Sequence, residues 1–175
     1  MIPFTATLSA AAVTAAAHDM LWLKASTNVS CAVRRIFVGQ YSDVGDAMAE
    51  MLSIQVIRGY TTSPTGGAAI TPAPLDGRRP AFGALGAGEE CRGNDTTLAT
   101  TGTPEIIIAE TFNVMGGWYW RCPDGDHLLP RSQSRSIWLD PGETLAVRLP
   151  VAPVDALTMA ASMDFDEMEL QDVNK

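Results

Sequence analysis

The stretch Leu157-Thr158-Met159-Ala160-Ala161-Ser162-Met163-Asp164-Phe165-Asp166 alternates without a break. Leu157, Met159, Ala161, Met163 and Phe165 fall on one side of an extended chain. Thr158, Ala160, Ser162, Asp164 and Asp166 fall on the other, the period-two pattern of a strand with one face on a core and one in water. Just upstream, Asp140-Pro141-Gly142-Glu143 carries proline and glycine where a tight turn favours them, and it launches Thr144–Leu149 with Leu145, Val147 and Leu149 inward. Further back, Ser136–Leu139, Trp118–Arg121 and Glu105–Val114 read as strands. In the first third the candidates are Phe4–Ala16, Met20–Lys24, Ala32–Gln40 and Met51–Tyr60. Ser42–Asp46 reads as a loop, so Arg34–Gly39 and Leu52–Arg58 are expected to pair as an antiparallel hairpin; Asp46–Met51 could instead form a helical turn. Helical spacing is otherwise hard to find. The chain is expected to be all-β, a single antiparallel β-sandwich or jelly roll of about eight strands.

One segment breaks the pattern. Residues 61–104 hold eight glycines and five prolines in forty-four positions with almost no periodicity. Such a stretch is either a linker between domains or a long excursion lying on the sandwich or on a neighbour. The excursion is preferred, because each flank supplies only about half a sandwich, so 1–175 reads as one domain. Ala69–Leu75 and Thr96–Thr101 are expected to be extended, with Phe82-Gly83-Ala84-Leu85 as the apolar anchor between them.

The 175 residues are 46% hydrophobic but only 18% charged, with a net charge of −8, against about a quarter charged in a typical soluble domain. Surface poor in charge is either covered by Ala, Thr, Ser and Gly or buried against neighbours. With Lys24 and Lys175 as the only lysines, phosphate neutralisation and attraction to anionic headgroups lack their cations, so neither nucleic acid nor membrane is an expected partner. No apolar run approaches the ~20 residues of a membrane-spanning helix, and the Ala-rich start lacks the basic residues and leucine-rich centre of a secretion signal. Cys31, Cys91 and Cys122 are odd in number and widely spaced, which suits reduced thiols in a protein made inside the cell.

Nucleotide-binding glycine loops, nucleophile elbows and zinc-protease motifs are absent from the sequence, and two histidines cannot furnish the metal site of a jelly-roll enzyme. Cys122-Pro123-Asp124-Gly125-Asp126-His127 gathers donor atoms, but it lacks the later carboxylate of a calcium loop and reads as a solvated turn. No enzyme activity, metal or cofactor is expected. Alternation sends Trp118 and Trp120 to the same face, as a core or an interface would require. Glu89 and Glu90 beside Cys91 should raise its thiol pKa, the opposite of what a nucleophile needs. The acidic end (Asp164, Asp166, Glu167, Glu169, Asp172, with Lys175) supplies −4 of the −8, and residues 167–175 read as an acidic tail. Arg34-Arg35 and Arg78-Arg79 are the basic doublets that could pair with it or with a neighbour's carboxylates.

The succession of the Arg34–Arg58 region, TTSPTGG, TPAPLD, NDTT, FNVMGGWYWR and IWLDPGETLAVRLPVAPVDALTMAASMDFDE resembles small jelly-roll virion proteins of tailed bacteriophages and prophages, of the capsid cement or decoration type. Residues around Phe82–Arg92 and Asp124–Arg135 are additional to that pattern. The resemblance implies a non-enzymatic protein made in the host cytoplasm. It would bind the major capsid protein on the outer head surface as a homotrimer and strengthen contacts between coat subunits. Ile2 and Phe4 near the N-terminus, and Arg78, Arg79, Phe82 and Leu85 in the excursion, are the expected contact residues. The alternative is a tail-associated receptor- or glycan-binding module that uses the tryptophan strands.

Overall fold

The computed structural model describes residues 1–14, 16–42, 50–123 and 135–169. Twelve strands run through them: β1 (Ile2–Val13), β2 (His18–Lys24), β3 (Val29–Ser42), β4 (Met51–Thr62), β5 (Ala68–Ala69), β6 (Ala73–Pro74), β7 (Glu90–Asp95), β8 (Thr100–Asn113), β9 (Trp118–Arg121), β10 (Ile137–Leu139), β11 (Thr144–Leu149) and β12 (Leu157–Glu169). They form two antiparallel sheets. The first runs β10-β3-β12-β1-β6 with β9 also paired to β3, and the second runs β5-β7-β2-β11-β4-β8. Alternating side chains from both sheets meet in one apolar core, which makes the molecule a β-sandwich. The number of strands exceeds the expected eight because the excursion contributes short ones of its own.

The final strand follows its sequence pattern: Leu157, Met159, Ala161, Met163 and Phe165 are all buried. β12 continues through Glu169 with Glu167 buried in the protein, so residues 167–169 belong to the sheet rather than to an acidic tail. Residues 170–175 lie outside the described residues, as do 43–49, on which the expected loop and most of the alternative helical turn fall, and 124–134, on which the expected Asp124–His127 turn falls.

The expected hairpin between Arg34–Gly39 and Leu52–Arg58 does not form. β3 pairs with β9, β10 and β12 in the first sheet, and β4 pairs with β8 and β11 in the second. Val33, Ile36 and Val38 therefore meet Leu52, Ile54 and Val56 across the core instead of beside them in one sheet. Alternation identifies the inward face of a strand, and two inward faces are equally satisfied by either arrangement.

The excursion is built into the sandwich. β5 and β7 extend the second sheet from β2, while β6 pairs with the edge of β1 in the first. β7 was not evident in the sequence. Its buried positions are Cys91, Gly93 and Asp95, and Gly93 leaves its space to Ile70 and Leu8, whose side chains a Cβ there would crowd.

Candidate interaction surface

Two anchors hold the excursion, and they decide what it can present. The first lies on the face of the second sheet that points away from the core. Asp19 (β2) and Arg148 (β11) are neighbours in the ladder. Arg148 donates to Asp19 through Nε at 2.7 Å and Nη2 at 3.0 Å, and the same Nη2 reaches the Ala99 carbonyl at 3.0 Å. Asp19 Oδ2 accepts the Ala99 amide at 2.7 Å, and Arg148 Nη1 donates to the Tyr60 hydroxyl at 2.8 Å while the guanidinium lies 4.8 Å from that ring's centroid. Burial works to lower the pKa of Arg148, but the hydrogen bonds and charge of Asp19 outweigh it, and the guanidinium is held in its charged form. Trp22, Ala99, Ala146 and Tyr60 close an apolar cluster beside this clamp. Nearby, Gly67 crosses so close to β7 that a Cβ would collide with the Gly93 carbonyl, and its amide donates to Asp95 Oδ1 at 2.8 Å.

The second anchor is aromatic. Phe82 meets Phe4 and Phe165 edge to face, each at a centroid distance of 5.7 Å, and Phe4 stacks on Phe165 at the same spacing. Leu85 packs on the core beside it. Phe82 and Leu85 are half-buried. The loop after β2 fixes the far side, where the Thr27 amide donates to the Ala87 carbonyl at 3.0 Å.

Between the anchors the chain turns outward at Asp76–Arg79. The Arg79 amide closes the turn on the Asp76 carbonyl at 2.9 Å, and the Asp76 carboxylate takes the Arg78 amide at 3.1 Å. The Arg78 side chain is 92% exposed and that of Arg79 54%, with Leu75 also exposed. Ile2 and Phe4, expected as contact residues, are instead buried, because Ile2, Phe4 and Ala6 occupy the inward positions of β1. Their side chains serve the interior and offer no surface to a partner.

Beside the turn lies an open groove of about 610 Å³ on the outer side of the first sheet, with Met1, Leu75 and Tyr119 as its exposed apolar rim and Arg34, Arg35 and Arg121 along it. A β-bulge opposite Asp164/Phe165 explains why two consecutive arginines both leave the core. Arg35 pairs with Asp164 and Val33 with Phe165, so Arg34 is the extra residue. Arg34 Nε meets Asp166 at 2.7 Å and its Nη1 donates to Ser136 at 2.7 Å, while Arg35 meets Asp164 at 2.7 Å. One basic doublet is thus paired with the acidic end of the chain. The other, Arg78-Arg79, has among the described residues only the exposed Asp76 as an ion-pair partner.

Trp118 is buried and its indole donates to Glu110 at 2.6 Å, and Trp120 packs on the same core, as alternation required. The three cysteines are free and buried. Burial, and then the charge of Glu90, pushes the Cys91 thiol up to about 12, and burial likewise raises Cys31. The direction agrees with the sequence reading, although desolvation contributes more than the neighbouring carboxylates. Among the described residues no group of three or more His, Cys, Asp or Glu side chains could hold a metal ion, and no described helix is long and apolar enough to cross a membrane.

Of the functional elements, the Asp19–Arg148 clamp escaped the sequence reading. Its only sequence signal is a charge set against an apolar run, Asp19 just before Met20–Leu23 and Arg148 within Thr144–Leu149. Comparison with protein-family models, with curated proteins and with solved structures finds no match for the chain.

Proposed function

We propose that this chain is a non-enzymatic structural protein of a phage virion, a jelly-roll unit that docks on the outer head surface and stabilises contacts between coat subunits. The observation that carries the reading is the nesting of strand pairs: β1 with β12, β2 with β11, β3 with β9 and β10, and β4 with β8. A chain folded back on itself and rolled into two sheets gives this order, and viral capsid domains are among the folds built that way. Fold alone does not assign function. The docking role is supported by the low charge of the chain and by the rigidly anchored excursion, which holds Leu75, Arg78 and Arg79 out from the sandwich.

In this reading Arg78 and Arg79 engage carboxylates of the major capsid protein, with Leu75 and the adjoining groove adding apolar area. Phe82 and Leu85 act one step back, as anchors that fix the turn. A homotrimer multiplies a modest contact by avidity, so no single strong contact is needed. The test is addition of purified protein to heads that lack it. The protein should co-sediment with the heads and raise their resistance to heating, and the Arg78→Ala/Arg79→Ala double variant should bind at least about tenfold more weakly, the loss of ~1.4 kcal/mol. Heads that neither bind the protein nor gain resistance overturn the proposal.

A further inference from the structure

We propose that the carboxyl of Glu167, buried with that of Glu89 under the excursion, acts as a pH-sensitive latch, holding residues 81–88 against the sandwich while Glu167 carries its proton and loosening them when it ionises. The proposal goes beyond the docking role and holds whatever the chain binds. Glu167 is on the inward register of β12 and only 1% exposed. Its Oε2 and that of Glu89 are both buried without a hydrogen-bond partner among the described residues. What joins them is Gly83. It follows Phe82, whose ring meets Phe165 two residues before Glu167, and its positive φ of 81° and missing side chain let the Glu89 carboxylate lie where a Cβ would collide with it. Two acids therefore share one turn of the excursion, one residue from the Phe82 anchor.

Among the described residues no cation is paired with either carboxyl. β3 places Cys31 opposite Glu167 and β1 places Ile2 there. β7 adds Cys91, whose thiol, like that of Cys31, burial keeps protonated. Arg34 is held by Asp166, and Arg92 by Asp95 and Glu90, so neither guanidinium is given to the pair. Burial first, with the charge of Glu89 adding to it and the Gly83 amide opposing it, raises the Glu167 carboxyl from 4.5 to about 7.

The sign follows from linkage. An acid whose pKa is higher in the docked state favours docking at low pH, and that advantage is lost progressively as pH rises from 4.5 towards about 7. Between about pH 5 and about pH 8 the opening constant of the 81–88 segment should rise roughly 50–100-fold. Hydrogen exchange of the full chain, corrected for intrinsic rates, reads this directly. In the native protein, protection of residues 81–88 should fall by that factor while the amides of β3 and β12 hold theirs. Glu167→Gln, which keeps the size of the side chain but cannot ionise, should flatten the dependence to less than about threefold. Glu89→Gln, which touches only the excursion side, should reduce it and serves if the first variant does not fold. A flat native profile, or a Glu167→Gln profile as steep as the native one, overturns the latch.

Discussion

Replacing Asp19 by alanine removes the acceptor of three hydrogen bonds at once, from Arg148 Nε, Arg148 Nη2 and the Ala99 amide. The Asp19 side chain is 0% exposed and that of Arg148 10%, so water cannot step in for the lost carboxylate. Arg148 would keep its Ala99 and Tyr60 contacts but carry an unbalanced charge in a nearly dry site. Breaking a buried pair from one side costs about 3–5 kcal/mol. For a domain of this size that corresponds to a fall of roughly 6–20 °C in Tm at about 2–4 °C per kcal/mol. Arg148→Met should cost a similar amount, because it strands the carboxylate instead. The double variant Asp19→Leu/Arg148→Met removes both charges and should cost far less than the sum, since apolar replacement of a whole buried pair is often close to neutral. Urea unfolding of the four proteins supplies the cycle, and hydrogen exchange at Ala99 reports whether the excursion lifts. If each single variant loses less than about 1 kcal/mol, or the two losses simply add, the clamp does not hold the excursion in the way argued.

Phe82→Ala should cost about 1.5–3 kcal/mol, below the ~3–5 of a fully buried phenylalanine, because the ring is half-buried. Its effect on exchange should concentrate in residues 75–89, and an equal loss of protection across β3 and β12 would count against a local anchor. Gly67→Ala drives a Cβ into the Gly93 carbonyl and should cost about 1–3 kcal/mol, read by thermal denaturation; an unchanged Tm would contradict the close crossing. Cys31 and Cys91 should resist an aromatic disulfide reagent at about pH 8 until the protein is denatured, because the reactive thiolate is suppressed by burial. Rapid labelling of either in native protein would show that they are not enclosed as described.

Much of the fold is legible as alternation bounded by turns. β12 and β11 could be read because each faces the core with every second residue and a proline–glycine turn precedes β11. The partners of the strands could not be read. β3 and β4 are consecutive yet lie in different sheets, since matching inward faces permit pairing across the core as well as beside it. β7 was hidden because its buried residues are small or polar, and the fit of Gly93 depends on Ile70 and Leu8 arriving from elsewhere. The same holds for the interaction surface. Arg78-Arg79 stands out as a basic doublet in a proline–glycine context, and it is exposed. Ile2 and Phe4 looked available only until β1 was seen to follow the strand period from Ile2 onward. Asp19 and Arg148 are 129 residues apart, and nothing in the sequence of either strand points to the other.

The most direct test of the proposed role is the structure of the decorated head, determined by electron cryomicroscopy after purified protein has been added to heads that lack it. The account predicts density for this sandwich on the outer surface, with Leu75, Arg78 and Arg79 facing coat carboxylates and with Ile2 and Phe4 still inside the sandwich. Density that leaves the 75–79 turn in solvent, or heads that acquire no density at all, would contradict it.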